Sequence, residues 1–272
     1  MHWSKFIVLI PITLLFLGSA RVESAQTSLQ DIIDFDILDG GSPSPKTFRA
    51  GFRIDLATGW KTYWRTPGEA GLPPHIDFSK STNLKTQNII WPSPQIFYEN
   101  DLRFYGYEDE LVLPIDFLPV DPEVPIRLKG EIGIGVCKNI CIPATFAFDY
   151  SLDPDRPAHP AVAAAYAKRP LSASEANIED VICQFTPLKR GLKVTTEIHI
   201  PGTDPETLAV IEPNYPHIWS FDTTTEHRDE TLIASSIFMH ERLVNFAVDR
   251  SKIRITIIGD NHAIEINGCG AQ

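Results

Sequence analysis

Positive charge is scarce in this sequence: 24 lysines and arginines stand against 35 aspartates and glutamates, a formal net charge of −11. Nucleic acid and anionic membrane surfaces both call for a basic partner face, so neither is expected as a ligand. Past residue 25 no apolar run approaches the roughly 20 residues a helix needs to cross a bilayer, so no membrane span is expected in the mature chain. Past the N-terminal segment, which holds His2, the histidines (His75, His159, His199, His217, His227, His240 and His262) never fall at HxxxH or HExxH spacing and read as surface or loop residues. Neither a metal nor a cofactor is therefore expected. GxSxG, P-loop and dinucleotide fingerprints are missing as well, which leaves classical hydrolase and nucleotide chemistry without support. Glycine (16) is outnumbered by proline (22), a balance that suits many short strands and turns better than long helices.

What is present begins with a targeting segment. Lys5 precedes the apolar run from Phe6 to Leu17, and Gly18-Ser19-Ala20 follows, the order of a secretory signal. Cleavage is expected after Ala20, with Ala25 second because Glu23 lies close to that cut. The mature protein is then exported, with the periplasm as the expected location, into a compartment where disulfides persist.

Hydrophobic residues make up 43% of the chain, enough to bury a sizeable core. Alternation from Phe48 to Leu56 predicts a half-buried strand. Further strands are expected near His75–Phe78, Gln87–Trp91, Leu111–Leu118, Ile126–Gly135 and Thr145–Tyr150. A Pro- and Gly-rich loop is expected over 66–74, and an aromatic loop holds Phe97, Tyr98, Phe104, Tyr105, Gly106 and Tyr107. Residues 153–180 change character: an alanine-rich run up to Arg169, halted by Pro170, predicts a short linker helix. Alternation then returns over 191–200, 207–212, 231–238, 243–249, 252–258 and 262–266. The expected fold class is all-β, with two immunoglobulin-like β-sandwiches joined by a short helical linker. The expected divisions are a signal peptide over 1–25, a first sandwich over 26–153, a linker over 154–180 and a second sandwich over 181–272.

The chain is organised around Gly135-Val136-Cys137-Lys138-Asn139-Ile140-Cys141-Ile142-Pro143. If the flanking segments pair as a hairpin, Cys137 and Cys141 face each other with Cα atoms about 4.5–5.5 Å apart, within disulfide range. So short a loop gains little from restricting the unfolded chain, so stability is a weak reason for the bond. Reversible exchange at an accessible tip is a better one, though a merely structural bridge stays open. Cys183 and Cys269 remain as a structural staple closing a long loop. Lys138 is a nearby cation that would favour a thiolate, against the commoner reading of a solvated tip lysine. The aromatic residues have a second reading too, as sandwich core.

Three segments resemble one family. Gly59 to Arg65 (GWKTYWR), Asp101 to Gly106 (DLRFYG) and the cysteine hairpin with Pro143 are similar to the amino-terminal periplasmic domain of the thiol:disulfide interchange protein DsbD and of ScsB-type reductases. The match spans about residues 46–152. The second half is similar to the following region of ScsB-like proteins. The resemblance implies an immunoglobulin-like domain that takes electrons from a membrane-embedded or thioredoxin-like donor and passes them to oxidised periplasmic thiol proteins. It implies that Cys141 forms the mixed disulfide and Cys137 resolves it. Phe104, Tyr105 and Gly106 would form an active-site cap, and Tyr63 would lie beside the pair. The best-known family member has five residues between its cysteines rather than three. The sequence carries neither that member's membrane-spanning domain nor its carboxy-terminal thioredoxin domain, so the expected donor is a separate chain. Cytochrome c maturation and copper tolerance are the pathways such a component suggests.

Two other functions compete with a protein-disulfide reductase component. One is a non-catalytic tandem-sandwich binding module with structural disulfides and the aromatic loop as docking patch. The other is Cu(I) handling by Cys137 and Cys141, which lacks a nearby Met or His cluster.

Overall fold

The computed structural model describes residues 28–271 apart from positions 70, 100, 154, 203, 243–245 and 260–261. The signal-peptide segment expected over 1–25 lies outside the described residues. The first half runs through β1 (Ile33–Asp39), β2 (Phe48–Leu56), β3 (Lys61–Gly68), β4 (His75–Asp77) and β5 (Leu84–Ile89). It continues through β6 (Gln95–Glu99), β7 (Leu102–Glu108), β8 (Glu110–Pro119), β9 (Arg127–Cys137) and β10 (Cys141–Ser151). Two sheets face each other, one ordered β1-β2-β8-β5 and the other β10-β9-β3-β7-β6, with β4 also pairing β9. Alternation dictates the arrangement. Phe48, Ala50, Phe52, Ile54 and Leu56 of β2 and Leu111, Leu113, Ile115 and Phe117 of β8 point inward. They meet Trp64, Tyr105, Ile132, Ile134 and Val136 from the opposite sheet. Each fully buried large side chain contributes about 1.5–3 kcal/mol.

Helix α1 (Pro160–Ala167) follows, starting at Pro160 and capped by His159, whose ring nitrogen accepts from the Ala161 amide at 3.2 Å. The helix is not a free spacer. Val162 and Ala165 pack on Leu38 and Val112 of the first sandwich. The approach is close enough that a Cβ at Gly51 would lie 2.6 Å from the Val162 side chain. The chain next forms β11 (Leu171–Ser172), β12 (Val181–Pro187), β13 (Leu192–His199), β14 (Leu208–Glu212) and β15 (Ile218–Ser220). Last come β16 (Thr224–Arg228), β17 (Thr231–His240), β18 (Arg254–Ile258), β19 (Ala263–Asn267) and β20 (Gly270–Ala271). One sheet is ordered β11-β19-β18-β14, the other β15-β17-β13-β12-β20, with β16 also on β17. Leu232, Ala234, Phe238, Ile198, Ile255 and Ile257 fill the core between them. Val210 and Ile258 of this second sandwich join the core of the first.

Three expectations are corrected. The aromatic loop is a hairpin of β6 and β7, turned at Asp101 with φ of 64°. Phe104, Tyr105, Gly106 and Tyr107 are all buried, so β7 shows no polar alternation and gave no strand signal. The loop expected from residue 66 begins later, because β3 runs to Gly68. The strand expected over 243–249 is not formed at 246–249, and residues 243–245 lie outside the described set. Phe246 and Val248 pack on the second core from irregular backbone, so their spacing reflects burial rather than ladder pairing.

Candidate functional site

Strands β9 and β10 pair in the register that sets Cys141 opposite Cys137, and the two are joined in a disulfide with Cα atoms 4.2 Å apart. Lys138, Asn139 and Ile140 form the exposed tip. The two cysteines differ in environment. Cys137 is buried, at 4% exposure, while Cys141 is exposed. Pro143 pairs with Gly135 on the edge strand β10, where a missing amide is tolerated.

Tyr63 on β3 meets both sulfurs. Its hydroxyl donates to Cys137 Sγ at 2.9 Å and lies 3.4 Å from Cys141 Sγ. Burial, and then the charge of Glu99, push the Tyr63 phenol above its ordinary value, so it stays a proton donor. Strand β3 is held on β9 by Thr62, whose hydroxyl donates to the Gly135 carbonyl at 3.0 Å.

Phe104 packs on the Cys137 side of the pair. Its ring packs edge-on against Tyr63 with centroids 5.7 Å apart, and it forms one buried cluster with Tyr63 and Cys137. Phe97 of β6 stacks on Phe104 at 5.3 Å, so the covering surface is two rings deep. Tyr105, expected beside Phe104 in the cap, points to the other face of β7. It packs on Trp64 in the core, and its hydroxyl reaches toward Asp222 of the second sandwich at 3.4 Å. Strand alternation separates the two neighbours. Gly106 sits opposite Tyr63, and a Cβ there would lie 2.1 Å from the Thr62 carbonyl oxygen. Only glycine lets β7 come this close to β3.

Lys138 turns away from the role of a thiolate partner: its ammonium donates to the Thr58 carbonyl at 2.9 Å. The cation that sequence reasoning missed is Lys61, opposite Cys137 across the β3–β9 ladder, with Nζ 5.3 Å over the Phe97 ring and 3.8 Å from Glu99. Its signal was its place two residues before Tyr63, on the same strand face. Cys183 and Cys269 form the second disulfide, spanning 86 residues, and Cys183 is buried in the second core.

Two of the strands that build the site, β3 and β7, are anchored in the second sandwich. Arg65 of β3 forks onto Glu212, with bonds of 3.0 and 2.8 Å, and reaches Glu265 at 2.9 Å. Arg103 of β7 donates to Asp222 and to the Thr223 carbonyl. Burial alone would raise the Glu212 carboxyl, but Arg65, with Thr66 and Arg254, holds it below its ordinary value.

Residues 35–149 match the family model of the N-terminal domain of the thiol:disulfide interchange protein DsbD. The matched segment holds Tyr63, Phe104, Cys137 and Cys141 together. The crystal structure of the N-terminal periplasmic domain of ScsB from Proteus mirabilis is similar to this chain with a TM-score of 0.64. The two are 22% identical, over 90% of this chain and 96% of that one, a likeness of fold. A marsupial T cell receptor covers 86% of this chain and 100% of its own at 7% identity, but with a TM-score of only 0.21 it bears on nothing. No curated protein matches the sequence.

Proposed function

We propose, from the DsbD N-terminal-like domain of residues 35–149, that this protein is a periplasmic thiol–disulfide exchange component. It passes electrons through Cys137 and Cys141 between a separate membrane-bound or thioredoxin-like donor and oxidised periplasmic proteins. The observation that carries the reading is the asymmetry of the pair: an exposed Cys141 at a hairpin tip and a buried Cys137 under the Tyr63 hydroxyl. Exchange requires a reachable sulfur and a leaving group whose developing charge is met.

In the reducing direction a donor thiolate attacks Cys141 Sγ, the Cys137–Cys141 bond breaks, and Cys137 leaves as a thiolate accepting the Tyr63 hydrogen bond. The donor's second thiolate then attacks the mixed disulfide, and Cys141 leaves reduced. In the delivering direction the Cys141 thiolate attacks a disulfide of the acceptor, and Cys137 attacks Cys141 Sγ to release the acceptor as a dithiol. Each passage moves two electrons. Cys183 and Cys269 take no part: they tie β12 to the chain's last strand. For the competing view of the aromatic segment as a docking patch, Phe104, Tyr105 and Tyr107 are buried, which leaves Tyr98, 68% exposed, and Leu102 as its exposed large side chains.

The test is the reduction potential of the pair, equilibrated against glutathione with Cys183 and Cys269 replaced by serine. A value above about −300 mV belongs to the exchangeable class. A value well below it would make the hairpin bond structural and overturn the reading.

A further inference from the structure

The hairpin that carries Phe104 joins its own sheet through one strand. Strand β6 is the outer edge, so β7 is the hairpin's attachment to the rest of the first sandwich. The β3–β7 ladder runs from Lys61–Glu108 through Tyr63–Gly106 and then breaks. It resumes only at Gly68 opposite Phe104, with Trp64 to Pro67 of β3 out of register. On β7 the interruption falls at Tyr105, between the paired residues Phe104 and Gly106. Phe104 is paired with Gly68, and the Arg103 backbone is held by Glu69, whose amide donates to the Arg103 carbonyl at 3.1 Å and whose carboxylate accepts from the Arg103 amide at 2.9 Å; the side chains of Arg103 and Tyr105 reach the second sandwich.

Both neighbours of Phe104 converge on one carboxylate. Arg103 donates to one oxygen of Asp222 and, at 2.8 Å, to the carbonyl of Thr223. The Tyr105 hydroxyl lies 3.4 Å from the other oxygen of Asp222. The Arg103 and Asp222 side chains are each 18% exposed, so the pair is largely out of solvent and weakly screened. Strand alternation makes the arrangement a lever. The pleat that points Phe104 at Tyr63 and Cys137 points Arg103 and Tyr105 the opposite way, at Asp222.

We infer that Asp222 is a latch: through Arg103 and Tyr105 the second sandwich holds Phe104 against Tyr63 and Cys137 and sets how often the buried, Cys137 side of the disulfide opens to a small thiol. Asp222 touches neither sulfur and acts as a positioning residue. The inference rests on the exchange reading only for what the access serves. Whether the cap opens more often without the latch is a property of the folded chain alone. Hydrogen bonds to charged groups are individually strong, so removing the carboxylate shifts the closed–open balance by about tenfold or more.

The experiment is the rate at which dithiothreitol opens the Cys137–Cys141 bond in the full chain, read by alkylation and mass shift of the hairpin peptide. Phe104→Ala sets the rate with the covering ring removed from Cys137. Asp222→Asn is expected to accelerate opening by about tenfold toward that limit, and Asp222→Glu to return it near the parent rate. Asp116→Asn breaks a comparable pair, Arg49–Asp116 at 2.6 Å, elsewhere in the first sandwich. It is expected to lower stability and leave the rate unchanged. Should Asp222→Asn not fold, Arg103→Lys, which keeps the charge but loses the guanidinium fork, is expected to accelerate opening by a smaller factor. An Asp222→Asn rate equal to the parent's, or an equal acceleration by Asp116→Asn, overturns the latch. The rate ratio does not depend on the reduction potential, so it judges the latch separately from the exchange reading.

Discussion

The hydroxyl of Tyr63 donates to Cys137 Sγ at 2.9 Å, and it does so from a ring that is only 4% exposed. Such a bond is worth little to a neutral disulfide sulfur and much more to a thiolate, because hydrogen bonds to charged groups are the strong ones. The phenol stays protonated across the working range because burial, and secondarily Glu99, raises its titration. Tyr63 therefore favours the moment at which Cys137 carries charge.

Tyr63→Phe keeps the ring that packs on Phe104 and removes only the donor. Reduction by a small thiol is expected to slow by about tenfold, the rate equivalent of roughly 1.4 kcal/mol, with little change in thermal midpoint. Stopped-flow or quenched alkylation kinetics would measure it. An unchanged rate in a folded variant would leave Tyr63 as packing alone.

The unequal exposure of the two sulfurs separates their roles. With Cys137→Ala, the exposed Cys141 is expected to accumulate a stable mixed disulfide with glutathione, because the resolving sulfur is gone. With Cys141→Ala, the buried Cys137 is expected to react at least about tenfold more slowly, since access limits thiol–disulfide exchange. Intact mass after incubation with oxidised glutathione reads both. Equal adduct formation would contradict the assignment.

The parts of this fold visible in the sequence are those with one wet face. Phe48 to Leu56 alternates because β2 has the core on one side only, and the structure has that strand at the expected residues. The cysteine hairpin was legible because short sequence spacing fixes register. The placement of the aromatic residues was half legible. Phe104 packs beside Tyr63 and Cys137 while Tyr105 packs on Trp64, since neighbours in a strand point to opposite faces and nothing in the sequence marks β7 as a strand. What no local pattern carries is Arg103 finding Asp222, 119 positions away, or Arg65 finding Glu212 across 147. Charged residues on alternating strands look solvated until a second sandwich covers them.

Arg65 and Glu212 give the contact between the sandwiches a pH dependence. Desolvation penalises the Glu212 carboxylate, yet Arg65 outweighs it and the folded-state titration lies below the ordinary value of 4.5. A depressed carboxyl contributes stability that is present above its unfolded titration and lost as pH falls through the folded one. The parent protein is therefore expected to lose stability progressively below about pH 4.5, within the window set by that shift. Glu212→Gln removes the titrating group and leaves Arg65 dependent on Glu265, which lies 2.9 Å away and is the more exposed of its two acids. The variant should be about 3 kcal/mol less stable at pH 7, the scale of a broken buried pair, and the gap should narrow toward pH 3. Urea midpoints at a series of pH values measure both. A gap that stays constant down to pH 3 would show that Glu212 is not the group whose titration couples the two sandwiches.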